Sequence, residues 1–132
     1  MRALDTNILV RLATGDDPTQ TGRVRALLDG AFARGERLYV SDAVACELAW
    51  VLRRTHRYDR GRLVAALAEL TRAPYLHFRQ ADGIERALAA YAAGRGDFAD
   101  YVIRERALAA GCDAVVTFDA ALHQEPGFVA PA

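Results

Sequence analysis

The chain has 132 residues, 52% of them apolar, and its 17 acids balance its 17 bases. That length and apolar content suit one compact domain with a real core and exclude a disordered chain. Zero formal net charge argues against a strong, sequence-independent grip on nucleic acid, and no apolar run approaches the ~20 residues that span a bilayer.

Every base is an arginine, so chemistry that requires a lysine is excluded as well. The start shows no basic region followed by a long apolar segment, so no secretory leader is expected. Cys46 and Cys112 fit neither a metal nor a redox spacing. They read as ordinary core cysteines of a reduced, cytoplasmic protein.

Arg2 to Asp5 reads as a short buried strand, and Asn7 to about Thr14 as a helix broken by Gly15-Asp16-Asp17-Pro18. Val24, Leu27, Leu28, Ala31 and Phe32 recur at a helical period between Thr19 and Arg34, and Gly35 stops that helix. A second short strand covers Arg37 to Val40. Ser41 and Asp42 can cap the next helix, which runs to about Thr55 with Val44, Leu48, Val51 and Leu52 on one face. A helix at Arg60 to Arg72, a strand at Tyr75 to Phe78 and a helix at Ala81 to Ala93 follow. Gly94-Arg95-Gly96 separates that helix from another at Phe98 to Ala110. Ala114 to Phe118 is the clearest strand, β-branched and apolar, and the tail after Glu125 has room for an edge strand. Strands that alternate with helices and look apolar on both faces predict a parallel sheet covered by helices. In such sheets, sites form beyond the carboxyl ends of the strands, where Asp5 and Asp119 both fall.

Taken singly, each acid has a structural reading. Asp5 and Asp119 suit helix N-caps. Asp97 suits a third cap, with Asp100 at the third helical position, although Asp100, Ile103 and Ala107 share a face that points inward in this reading. Glu47 lies between Val44 and Val51 and is expected to be partly buried, with Arg54 on its face as an ion-pair partner. Taken together, acids from separate elements at one sheet end repel one another, and a hard divalent cation resolves the repulsion. Such a site suits phosphodiester hydrolysis.

The segments LDTNILVRL, CELAWVL, GDFADYVI and VTFD, in this order and spacing, resemble a PIN-domain ribonuclease. More narrowly, LDTNILVRLATGDDPTQ resembles the VapC toxins of type II toxin–antitoxin pairs. The resemblance covers nearly the whole chain, so a single PIN domain over residues 1–132 is expected. It implies a three-layer α/β/α sandwich with a central parallel sheet. It also implies a metal-dependent endoribonuclease using Mg²⁺, with Mn²⁺ as an alternative. The ligands it implies are Asp5, Glu47, Asp100 and Asp119, with Asp97 supplementary. Thr6, Asn7 and Thr117 match the polar residues that support the acids. A homodimer and a cognate VapB-like antitoxin are implied too.

Arg53, Arg54, Arg57, Arg60 and Arg62, with His56 and Tyr58 among them, form the densest basic stretch. It reads either as a solvated corner or as an RNA contact, with Arg53, Arg54 and Arg57 on phosphates and Tyr58 stacked on a base. Trp50 reads as core or interface, and the three histidines as structural or exposed. A haloacid-dehalogenase-like phosphatase and a response-regulator receiver each want a lysine, which the chain lacks. A dinucleotide-binding domain wants a glycine fingerprint after the first strand, and none is there. A non-catalytic PIN-like module predicts lost acids, and none is lost.

Overall fold

The computed structural model describes residues 1–132, which form two compact units, Met1–Ala81 and Asp82–Ala132.

The first unit holds β1 (Arg2–Ala3), α1 (Thr6–Thr14), α2 (Pro18–Ala33), β2 (Leu38–Val40), α3 (Asp42–Arg54), α4 (Arg60–Arg72) and β3 (Leu76–Phe78). Its sheet has the order β1-β2-β3 and every pairing is parallel, with Arg2 opposite Leu38 and Leu38 opposite Leu76. β2 is central, and Leu38 and Val40 are buried there. Parallel neighbours need crossover connections, and the helices supply them. Each helix buries an apolar stripe at helical spacing: Leu9 and Val10 in α1, Ala45, Leu48, Ala49 and Leu52 in α3, and Leu63, Leu67 and Leu70 in α4. Caps fix where the helices begin. Asp5, Asp17, Ser41 and Asp59 each accept a backbone N–H of the helix that follows. Gly15 ends α1 in the left-handed region at φ +61°, which a side chain disfavours.

The second unit holds α5 (Ala81–Ala93), α6 (Phe98–Ala109), β4 (Val115–Val116), a short 3₁₀ helix (Ala120–Leu122) and β5 (Phe128–Val129). β4 and β5 pair in parallel. Ile84, Leu88 and Tyr91 from α5, Phe98, Tyr101 and Val102 from α6, and Phe128 are buried. Tyr91 meets Phe98 edge to face, and Tyr101 meets Phe128 nearly so. Glu105 is buried in α6 and is held by Arg86 at 2.6 Å and Arg104 at 3.5 Å.

Parallel strands alternating with helices place the chain in the α/β sandwich class, as expected. Several local expectations change. β1 is exposed at both residues. β4 is two residues long, and Val116 and Phe118 are 64% and 89% exposed, their side chains left uncovered by the elements around them. Ile103 is exposed, so the inner face of α6 is the one carrying Phe98, Tyr101, Val102 and Glu105. Cys46 is partly exposed and Cys112 fully so, which removes both from the core. The tail does supply a strand, β5.

Two side-chain clusters lock local geometry. In the first unit, Arg2 grips both oxygens of Glu36, Nε to Oε1 at 2.8 Å and a terminal nitrogen to Oε2 at 3.0 Å. Arg34 adds a third contact at 3.1 Å. These hydrogen bonds and charges hold the Glu36 carboxyl at about 2, against an ordinary 4.5. In the second unit, the Tyr101 hydroxyl donates to the Glu125 carboxylate at 2.6 Å and accepts the Gly96 N–H at 2.9 Å. The Arg95 N–H reaches the same carboxylate at 3.2 Å. The Gly94-Arg95-Gly96 turn thus lies directly on Tyr101 and Glu125, and a Cβ on Gly94 would overlap both.

A carboxyl held below its ordinary value stabilises the fold above that value and loses the contribution as pH falls through the folded one. Wild-type protein should therefore lose urea stability between about pH 4.5 and 2, and Glu36→Gln should lose less across that window. Equal losses would remove Glu36 from the acid sensitivity. Gly94→Ala should destabilise by roughly 1–3 kcal/mol through overpacking. Gly22→Ala, inside α2 with open space around its Cβ, should stabilise by roughly 0.5–1 kcal/mol. Thermal melts of both variants check the opposite signs.

Candidate active site

Asp5 lies just beyond β1, and the Leu4 N–H bonded to the Tyr39 carbonyl at 2.9 Å holds the chain against β2 up to that point. The Asp5 backbone is extended, with φ −85° and ψ 163°, and Oδ1 accepts the Thr6 N–H at 2.7 Å. The cap occupies one oxygen of an exposed carboxylate and leaves acceptor capacity for a ligand. Thr6 is buried, yet its Oγ1 has no hydrogen-bond partner. A buried hydroxyl left unpaired costs on the order of 1–3 kcal/mol. Asn7 is exposed on the first turn of α1 and lines a cavity between α1 and α2.

Glu47 is exposed, which corrects the expectation of partial burial. The buried stripe of α3 runs through Ala45, Leu48, Ala49 and Leu52. Glu47 falls off that stripe onto a face shared with Trp50 and Arg54, and Trp50 is 59% exposed. Arg54 is about 10 Å further along the helix axis, too far for the ion pair that the shared face suggested.

In the second unit, Asp97 and Asp100 sit at the start of α6, as their capping signature predicts. The Asp100 carboxylate reaches back to accept the Asp97 N–H at 2.8 Å. Partial burial pushes the Asp100 carboxyl above its ordinary range. The hydrogen bond from Asp97 opposes that shift, and the negative charges of Asp97, Asp119 and Glu125 add to it. Asp119 follows β4 and starts the 3₁₀ helix, with Oδ1 accepting the Ala121 N–H at 3.0 Å. Its own N–H donates to Thr117 Oγ1 at 3.0 Å, so Thr117 orients the turn that carries Asp119. The His123 ring contacts the Thr117 carbonyl at 2.7 Å, a structural role.

Asp97, Asp100 and Asp119 therefore share one electrostatic neighbourhood, joined by Glu125. Asp5 and Glu47 belong to the first unit. No three His, Cys, Asp or Glu side chains stand in coordinating reach of one point. The donor chemistry nevertheless fits a hard divalent cation. Oxygen is the donor throughout, and in the second unit Asp100 is crowded by like charge that a cation would relieve. Sequence reasoning missed Glu125 and Tyr101, which carry the turn ahead of Asp97. The signal available was the paired glycines at 94 and 96, whose lack of side chains admits the Tyr101 hydroxyl.

The basic stretch divides. Tyr58 is buried, and Arg62 covers its ring at 4.0 Å, so Tyr58 offers no face to a base as the sequence suggested. Arg53 donates to the Tyr58 carbonyl at 3.3 Å, a corner-closing bond. Arg54 and Arg57 are exposed, Arg57 with its backbone at φ +57°.

Comparison with curated proteins finds no match. The PIN-domain family model matches residues 2–126, nearly the whole chain. PIN domains are generally nucleases that use divalent metal ions. With a family model matched over nearly its whole length and parallel strands alternating with helices, the chain belongs to the PIN-domain family.

Proposed function

We propose that residues 1–132 make up a single PIN domain acting as a Mg²⁺- or Mn²⁺-dependent endoribonuclease, the toxin of a VapBC-type pair. The observation that carries this reading is Asp100, a partly buried carboxyl crowded by Asp97, Asp119 and Glu125 in a chain of the PIN family. Asp5, Glu47, Asp100 and Asp119 are the proposed ligands, and Asp97 is supplementary. A cation held by these residues would supply a water of lowered pKa and neutralise charge on the phosphate. Asp5 and Asp119 are held by the backbone they cap, which limits their rearrangement. Thr6, whose buried hydroxyl has no partner, and Asn7, which follows it on the exposed side, are the proposed supports of Asp5. Thr117 steadies Asp119. Arg54 and Arg57 contact RNA phosphates, with Arg53 tied mainly to its own corner.

The toxin assignment rests on the stretch LDTNILVRLATGDDPTQ. The exposed Trp50 supports a protein contact on α3, either in a homodimer or with a VapB-like antitoxin. No helix is long and apolar enough to cross a membrane. We place the protein in the cytoplasm, a compartment that suits two cysteines not joined in a disulfide.

The test is cleavage of total cellular RNA by purified protein. Loss of a group that merely supports a metal ligand costs roughly 10–100-fold, so Asp5→Asn and Asp100→Asn should each lose at least about a hundredfold in rate. EDTA should abolish cleavage, and added Mg²⁺ should restore it. Cleavage by Asp5→Asn at the wild-type rate, or cleavage that survives EDTA, contradicts the reading. Metal binding with no cleavage of any cellular RNA favours a non-catalytic PIN module.

A further inference from the structure

We propose that the cavity between α1 and α2 is a nucleotide subsite for single-stranded RNA, with Arg23 as its phosphate grip. The proposal deepens the nuclease reading and rests on it. The cavity has a volume of about 550 Å³, within the range of sites that enclose small ligands. α1 contributes Asn7, Ile8 and Arg11, and α2 contributes Arg23, Val24 and Leu27. These residues recur at helical spacing, so two facing helix surfaces build the cavity, with no mobile loop in its lining.

Its chemistry is one-sided. Two arginines line it and no acid does. Arg11 is already anchored, with Nε donating to Gln20 at 2.6 Å and a terminal nitrogen paired to Asp16 at 3.0 Å. That anchoring offsets part of its charge and fixes the guanidinium, leaving donors unused. Arg23 has no acidic or hydrogen-bonding partner for its side chain and is exposed. It is the uncompensated cation of the cavity. Ile8, Val24 and Leu27 supply an apolar wall suited to a ribose or base, and the Asn7 amide offers one acceptor and two donors to a base edge. An occupant that is anionic at one point, apolar on a face and polar along an edge matches a nucleotide.

Position favours RNA over an acidic peptide. Asn7 is two residues beyond Asp5 on the same helix start, about 3 Å further along its axis. Asn7 and Ile8, in the first turn of α1, bring the lining of the cavity to the helix end that Asp5 caps. Arg25, also exposed on α2, lines a different cavity, shared with Glu69 of α4, and serves as the internal comparison.

The experiment measures fluorescence anisotropy of a short, fluorescein-labelled, single-stranded RNA of mixed sequence, in EDTA so that nothing is cut. Wild type, Arg23→Ala, Arg23→Glu, Arg23→Lys and Arg25→Ala are compared, with melts showing that each is folded. Arg23→Ala should weaken binding by roughly tenfold, as expected for losing one charge-assisted contact, and should reduce the salt slope by about 0.7. Arg23→Glu should be weaker still. Arg23→Lys should keep the wild-type slope, and Arg25→Ala should match wild type. Wild-type affinity and slope in Arg23→Ala overturn the subsite, as do equal losses in Arg23→Ala and Arg25→Ala, or no RNA binding by wild type. A synthetic helical peptide of Leu and Glu runs in parallel. If Arg23→Glu loses that peptide while Arg23→Ala keeps RNA, the cavity is a peptide site and the proposal is wrong. Because binding is read without metal, these outcomes are separate from the cleavage test of the nuclease itself.

Discussion

The hydrogen bond from a helix-starting N–H to the aspartate that precedes it is the interaction on which this site depends. Asp5 accepts it from Thr6 and Asp119 accepts it from Ala121, each in the short stretch that joins a strand to a helix. The bond sets the carboxylate's orientation before any ligand arrives, because the strand fixes the backbone on one side and the helix fixes it on the other. A capping carboxylate retains a second oxygen with full acceptor capacity. Capping and metal ligation are therefore compatible duties of one side chain. The ordinary preference for Asp at helix starts gives the chain a set of fixed acids at no extra structural cost.

Asp100 works by a different device. It sits at the third helical position and turns back to the N–H of Asp97, so its carboxylate stays beside the helix start and partly buried. The turn ahead of it is shaped by Tyr101 and Glu125, whose hydroxyl–carboxylate bond is closed over by Gly94 and Gly96. Glu125 thus has two effects. It anchors the turn through Tyr101 and the Arg95 N–H, and its charge raises the cost of ionising Asp100. A cation near Asp100 offsets that cost, which couples the packing of the turn to the affinity of the proposed site.

Much of this was legible in the chain. Glycine and cap residues mark helix ends because they act locally, and α4 and α5 begin and end where the pattern places them. The role of Asp97 and Asp100 as a capping pair was readable for the same reason. Quantities set by distant packing were not. Glu47 reads as an acid within an apolar stripe, but the stripe that α3 buries is rotated toward Ala45 and Ala49, and small alanines give weak hydropathy signals. Val116 and Phe118 look like a buried strand by composition, and their exposure depends on what the fold lays over the faces they point to. Tyr58 looked available to a base until Arg62 was found stacked on it. The two cysteines misled in the same way, since an apolar sequence neighbourhood does not establish burial. The fold class and the helix-start placement of Asp5, Asp97, Asp100 and Asp119 follow from local rules, while the sides that individual residues face are set by tertiary contacts.

The central claim is that these acids serve hydrolysis by a metal-activated water, and the chemistry of the RNA ends tests it most directly. Fragments made by the purified protein in Mg²⁺ should carry a 5′-phosphate and a 3′-hydroxyl, read by their direct competence for ligation and for exonuclease digestion from a 5′-phosphate. Fragments ending in a 2′,3′-cyclic phosphate and a 5′-hydroxyl would contradict the account, because the RNA's own 2′-hydroxyl would then be the nucleophile.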